Sequence, residues 1–197
     1  MYNILISGVG GQGTLLASRI LGRLYLSAGW DVKVSEVHGM SQRGGSVITY
    51  VRAAAPEEPF GVGSPIIPNG EADLLLAFEE LEALRWAGCV KKTGAIAVNT
   101  QEIPPMPVIT GAAEYPQGIL SAIEEKAARV MKLDALSLAV EAGSSKAANV
   151  VLLGAVSTAM DFSEEQWLEA LEQTVKPKFL EMNKKAFALG RSAAKAR

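Results

Sequence analysis

Residues able to hold a negatively charged ligand concentrate in two short stretches of this 197-residue chain. The first is Gly8-Val9-Gly10-Gly11-Gln12-Gly13-Thr14, with four glycines in six residues. It follows the apolar run Tyr2-Asn3-Ile4-Leu5-Ile6-Ser7 and precedes a helical pattern that begins near Leu15. Glycine loses more conformational freedom on folding than any other residue, so this density needs a reason. Between a strand and a helix, Gly8 is expected to make the tight turn. Gly10 would let a ligand touch backbone, and Gly13 would let the helix pack close to the strand. The free amides at the helix start then face an anion. The spacing Gly8-x-Gly10-x-x-Gly13 is that of a dinucleotide fingerprint, and Glu36, after the alternating run Asp31–Val37, stands where an acid would meet a ribose. The bland alternative is a tight turn that binds nothing.

The second stretch is His38-Gly39-Met40-Ser41-Gln42-Arg43-Gly44-Gly45, which holds the only histidine of the chain. Arg43 suits a phosphate or carboxylate, because its planar fork donates two parallel hydrogen bonds. His38 has no evident carboxylate partner, and such a histidine more often bonds backbone than moves protons. No Ser-His-Asp order, HExxH, CxxC or P-loop lysine occurs. Asp73, Glu79 and Glu80 gather around one apolar strand without showing a carboxylate pair. Asn149 interrupts an apolar helix and must find a partner, in a loop, in the glycine turn or in a ligand.

The elements that must position these residues alternate along the chain. A strand at Tyr2–Ser7 leads to a helix at about Gln12–Ala28, striped by Leu15, Leu16, Ile20 and Leu24 and ended by Gly29. Strands Asp31–Val37 and Ser46–Arg52 have no helix between them, so they pair antiparallel or lie at an edge. If the first two strands are parallel neighbours, both stretches share one carboxyl edge, where open α/β sheets bind ligands. Ala53–Gly70 is proline-rich loop with a short strand at Ser64–Ile67. Ala72–Phe78 is a buried parallel strand. Glu79–Cys89 is a helix with Leu81, Leu84 and Ala87 inward, and Ala95–Asn99 is a strand reached through a turn at Lys91–Gly94. Pro104–Pro107 excludes regular structure, and Val108-Ile109 pairs briefly. A helix at Gly118–Arg129, a strand at Val130–Leu133 and a helix at Ser137–Ala142 follow. Lys146–Met160 is a buried helix, Ser163 and Gln166 form a capping box, and Pro177 opens a last helix with Phe179, Met182, Ala186 and Phe187 on one side. This is an α/β pattern: an open, mostly parallel, doubly wound (Rossmann-like) sheet with helices on both faces and a helical C-terminal third, forming one domain over 1–197.

Composition narrows the partners. Apolar residues make up 49% and charged residues 20%, with a net charge of -2, so neither nucleic acid nor an acidic membrane is expected. The longest apolar stretch, Ala147–Met160, is too short to span a bilayer. The single cysteine, Cys89, cannot build a disulfide framework or an iron–sulfur cluster by itself. The chain enters a strand at once, leaving no room for a signal peptide, and a cytoplasmic protein is expected.

Three separated motifs add a family. Gly8–Gly13, the run Glu36–Val47 containing His-Gly-Met-Ser-Gln-Arg-Gly-Gly, and Asn149-Val150-Val151-Leu152-Leu153-Gly154-Ala155 resemble the gamma-type domain of 2-oxoacid:ferredoxin oxidoreductases. The middle motif is most similar to the form in the beta subunit of indolepyruvate ferredoxin oxidoreductase. The resemblance implies oxidative decarboxylation of a 2-oxoacid to an acyl-CoA, with electrons passed to ferredoxin. It implies thiamine diphosphate and iron–sulfur clusters held by a large partner subunit, which would also meet ferredoxin, and no cofactor held tightly here. The residues themselves supply no cluster ligand set and no evident proton-transfer constellation, so no catalytic residue and no metal ligand is expected in this chain. A role in coenzyme A access would fall to Gly8, Gly10, Gly11, Gln12, Gly13, Thr14, His38, Ser41, Gln42, Arg43, Gly44 and Asn149. The rivals are a stand-alone NAD- or FAD-binding protein with Glu36 on a ribose, and a non-catalytic assembly module. A homodimer is the alternative assembly for the isolated chain.

Overall fold

The computed structural model describes residues 1–39 and 44–195; Ser41, Gln42 and Arg43 of the second stretch lie outside them. Strands β1 (Tyr2–Val9), β2 (Asp31–His38), β3 (Ser46–Ala54), β4 (Ala72–Ala77), β5 (Val90–Asn99) and β6 (Arg129–Leu133) form one sheet in the order β2-β3-β1-β4-β5-β6. β1, β4, β5 and β6 are mutually parallel. β3 runs antiparallel to both β1 and β2, so β2 points the same way as β1 without touching it. The cause is the length of the β2–β3 connection: residues 39–45 are too few for the crossover that parallel neighbours need. The shared edge survives through register, since His38 and Gly8 both pair with Val47.

Helix α1 (Thr14–Ser27) follows β1, and α2 (Glu80–Trp86) follows β4. The short helices α3 (Met106–Ile109) and α4 (Ile119–Glu124) precede β6; α5 (Ala135–Ala142), α6 (Ala148–Val156), α7 (Glu164–Thr174) and α8 (Leu180–Lys195) close the chain. One face of the sheet packs against α1 and α5 to α8. The other packs against α2 and α4. Neighbouring β1 and β4 thus send their helices to opposite faces, which makes the gap between their C-terminal ends the ligand crevice of a doubly wound sheet.

Helix α6 is buried on all sides, as a sequence apolar but for Asn149 requires. It crosses α8 backbone to backbone. A Cβ on Gly154 would strike the Phe187 carbonyl, and one on Gly190 would strike the Val151 carbonyl. Ser163 and Gln166 form the expected capping box at the start of α7.

Several local expectations give way. Lys91–Gly94 belongs to β5, whose Val90 reaches back to pair with Ala72 across an irregularity. Ser64–Ile67 is loop. Pro105 and Pro107 start α3 instead of preventing structure, because proline suits a first helical turn; Val108 and Ile109 are therefore helical, not extended. The expected helix Lys146–Met160 is α6 with 3₁₀ turns at Ser145–Ala147 and Ser157–Ala159. The side of α2 that faces inward is Ala83 with Glu80 and Glu82, while Leu81 and Leu84 are half-buried. Leu15 and Phe179 are exposed. So is most of β2, where Val34 is 43% and Val37 50% accessible.

Candidate functional site

The chain leaves β1 at Val9 and turns into α1 through Gly10–Gly13. Gln12 closes this turn: its side-chain Oε1 accepts from the Val9 amide at 2.7 Å and its own amide donates to the Val9 carbonyl at 3.1 Å. Its Nε2 donates to the Phe78 carbonyl at 2.9 Å and to Gln101 Oε1 at 3.4 Å, tying the turn to the end of β4.

Each glycine has a role other than the one its spacing indicates. Gly8 makes no turn; it lies within β1, where a Cβ would stand 3.0 Å from Gln12 Oε1 and 3.2 Å from Phe78 Cβ. Gly10 meets the chain itself: its amide donates to the Gly45 carbonyl at 2.8 Å and its carbonyl accepts from the Gly44 amide at 3.4 Å. Gly44 is left-handed, with φ +74°. In the turn the left-handed residues are Gly11 (φ +106°) and Gly13 (φ +86°). Gly13 caps α1, and the residue pressed against it is Asn149 rather than a strand. Asn149 Nδ2 donates to the Gly13 carbonyl at 3.1 Å, so this amide holds the turn.

Glu36 is not free for a ribose. Its Oε2 accepts from the Thr14 hydroxyl at 3.1 Å and the Thr49 hydroxyl at 3.0 Å, joining α1, β2 and β3. His38 is exposed, with Nδ1 3.0 Å from the Gly39 carbonyl. The acids around β4 divide: Asp73 pairs with Lys91 at 2.6 Å beside the start of the strand, whereas Glu79 lies beyond its end. Glu79 is saturated, accepting from the Glu82 and Ile103 amides at 2.8 and 3.0 Å and from the Tyr115 hydroxyl at 2.5 Å. Burial pushes the Glu82 carboxyl up, opposed by its bond from Ser46 and by Arg85. Burial also raises Glu80, with Glu102 and Glu79 adding to it. These side chains anchor α2 and do not form an acid–base pair.

Two cavities flank the glycine turn, and Gly11 and Gly13 line both. The first, about 450 Å³, lies in the crevice beyond β1 and β4 and includes Gln12 and Asn149. Its walls are apolar, from Leu16, Phe78, Leu136 and Leu152, and its further polar groups are Asn99, Gln101, Ser145 and Lys146. Gln101 Oε1 accepts from Gln12 and, at 3.2 Å, from Asn99, which leaves the Gln101 NH₂ group as a donor. The Lys146 ammonium has no partner among the described residues. The second cavity, about 420 Å³, is bounded by Gly10, Thr14, Glu36, His38 and Val47. The glycine turn is thus a wall between two cavities: Gln12 and Asn149 line the first, while Thr14 and His38 line the second, where the described ends of the two stretches meet. Sequence reasoning missed Gln101, Ser145 and Lys146. The available signal was position, since Gln101 follows a parallel strand and Lys146 precedes a buried helix.

A doubly wound sheet with this glycine turn, capped by a buried asparagine near the C-terminus, defines the class, and the chain belongs to the pyruvate ferredoxin/flavodoxin oxidoreductase family, which it matches over residues 3–193. It is 47% identical to indolepyruvate oxidoreductase subunit IorB of Thermococcus kodakarensis, over 98% of this chain and 96% of that one. The gamma subunit of a keto/oxoacid ferredoxin oxidoreductase from Geobacter sulfurreducens has the same fold, with a TM-score of 0.71, 25% identity and 100% of each chain covered. In 2-oxoglutarate:ferredoxin oxidoreductase from Magnetococcus marinus the fold recurs at TM-score 0.70 and 21% identity, covering 100% of this chain but 31% of that longer one. Among the described residues no helix is long and apolar enough to cross a membrane.

Proposed function

We propose that this chain is the gamma-type subunit of a cytoplasmic, thiamine diphosphate-dependent indolepyruvate:ferredoxin oxidoreductase and acts only within that complex. The observation that carries this reading is the near full-length identity to an indolepyruvate oxidoreductase subunit. The reaction would be oxidative decarboxylation of the 2-oxoacid to its acyl-CoA, with two electrons leaving to ferredoxin. An iron–sulfur cluster does not fit this chain: its one cysteine, Cys89, is buried, with its thiol 3.0 Å from Asn69. A large partner subunit would hold the clusters and thiamine diphosphate. The exposed edge supports such a partner, because Val34 on β2 lines one groove with exposed Leu15 and Leu26 of α1.

Coenzyme A fits better. The crevice offers the open left-handed Gly11, the Gln101 donor and the Lys146 ammonium to phosphate oxygens, with apolar walls beside them. Bound there, coenzyme A would supply the thiol that accepts the acyl group. Lys146 would neutralise charge and Gln101 would orient it, while Leu16 and Leu152 exclude water.

Co-expression with the thiamine- and cluster-binding partner is expected to give a stable complex that turns over indolepyruvate, and the isolated chain is expected to show none. Steady turnover by the isolated chain, or no association with that partner, would refute the reading. In the complex, Lys146→Ala should raise the KM for coenzyme A about tenfold with little change in kcat, because an interaction made equally in ground and transition states is lost. An unchanged KM would remove coenzyme A from this crevice.

A further inference from the structure

At the opposite end of the sheet from the glycine turn, where β1 begins, a cavity of about 270 Å³ opens between the C-terminal end of α1 and the segment before α7. Its walls are aromatic. Tyr25 stands at the centre, with ring centroids 6.1 Å from Tyr2, 5.1 Å from Trp30 and 5.0 Å from Phe162, the last edge to face. Asp161 is on the exposed rim. The rim is fixed by the Phe162 amide, which donates to the Met160 carbonyl at 2.9 Å, and by the capping box that follows.

Two groups here are unspent. Tyr25 is only 3% exposed, yet its hydroxyl has no hydrogen-bond partner among the described residues. The ring is buried, but the hydroxyl oxygen itself keeps solvent contact and is free to pair with an occupant of the cavity. The Asp161 carboxylate likewise makes no hydrogen bond or ion pair among them. The other acid near these phenols, Asp73, is already held by Lys91 at 2.6 Å and by the Asn3 amide at 2.8 Å. Burial raises the Tyr2 and Tyr25 phenols above their ordinary range, and both aspartates push the same way, so both rings stay neutral near pH 7.

These features select the occupant. An apolar group would leave the Tyr25 hydroxyl and Asp161 unpaired, and an anion would meet the two aspartates. A cation is attracted by the ring faces and by Asp161. A guanidinium can stack its plane on an aromatic ring while donating to a carboxylate and a hydroxyl together, which a compact ammonium cannot do. We infer that this cavity receives an arginine side chain presented by the partner subunit. The source of that arginine rests on the subunit reading above; the cation chemistry of the cavity does not.

The full-length chain, labelled with nitrogen-15, is titrated with arginine methyl ester while the Trp30 indole resonance, identified by Trp30→Phe, is followed. A saturable shift in the millimolar range is expected. Lysine methyl ester should bind more weakly and the uncharged citrulline ester should give no shift. Asp161→Asn should weaken arginine binding about three- to fivefold. Equal shifts from citrulline, or undiminished binding to Asp161→Asn, overturn the cation site; equal binding of lysine overturns the assignment to arginine. In the complex, Asp161→Arg should weaken association about tenfold or more, by placing like charge against the incoming side chain. If the unaltered chain assembles and Asp161→Arg assembles as tightly, the partner arginine is refuted while the subunit reading stands. If the unaltered chain fails to assemble, the subunit reading falls with the arginine's source, and the titration alone decides the cavity.

Discussion

Gly154→Ala should destabilise the protein by about 3 kcal/mol, whereas Gly22→Ala should stabilise it by roughly 0.5–1 kcal/mol. Both glycines lie inside helices, α6 and α1, so propensity alone favours alanine at each by about the same amount. The surroundings decide the sign. At Gly22 a Cβ would make ordinary contacts, 3.8 Å to Val34 Cγ2 and 4.0 Å to Val32 Cγ1. At Gly154 it would stand 2.9 Å from the Phe187 carbonyl carbon and 3.1 Å from the Arg191 amide nitrogen, with the Phe187 oxygen nearer still. Those atoms are helix backbone, so α8 must move as a unit, away from a helix buried on every side. Gly190→Ala should act like Gly154→Ala, since its Cβ would meet Val151 backbone. Thermal unfolding gives the answer: a loss of about 6–12 °C for Gly154→Ala and a small gain for Gly22→Ala. Equal effects at the two positions would show that the α6–α8 approach is looser than described.

Gly13→Ala should cost about 2–4 kcal/mol, and much of that should vanish when Asn149 is also truncated. Two costs coincide at Gly13. Its φ of +86° is a conformation that L residues occupy only under strain, about 1–2 kcal/mol per residue. Its Cβ would also displace Asn149, whose Nδ2 holds the Gly13 carbonyl. Gly11→Ala meets only the first cost, because nothing lies within 4 Å of its Cβ. Gly11→Ala should therefore be milder in stability, though it narrows the entrance to both cavities. A double-mutant cycle with Gly13→Ala and Asn149→Ala, read by urea unfolding, should give a coupling of about 1 kcal/mol or more. Additive energies would mean that the asparagine is not what confines Gly13.

The sequence made the local punctuation readable. Ser163 and Gln166 stand three residues apart before an amphipathic run, and their reciprocal bonds need nothing from elsewhere in the chain. Gly29, left-handed just past α1, is equally self-contained. Strand order was harder, because it depends on pairing between distant segments: no residue in β1 announces that β3 lies between it and β2. The glycine turn shows the same divide. Its existence was plain, but the confinement of Gly13 comes from an asparagine 136 positions away. Gln101 and Lys146 meet only because two elements end at one edge of the sheet. Pro105 and Pro107 misled in the other direction, since proline forbids a helix interior yet favours a helix start.

Glu36 has a mechanical consequence. One carboxylate oxygen takes hydrogen bonds from Thr14, at the first turn of α1, and from Thr49, on the inner strand of the hairpin, while its own backbone belongs to the exposed edge strand. It works as a strap across three elements. A chain that docks along β2 cannot lift the end of that strand without pulling on Thr14, and Thr14 adjoins Gly13 in the wall that the two cavities share. If β2 meets the partner and the glycine turn meets an anion, as proposed above, this strap would couple the two and pass the tightness of subunit contact to the shape of the crevice.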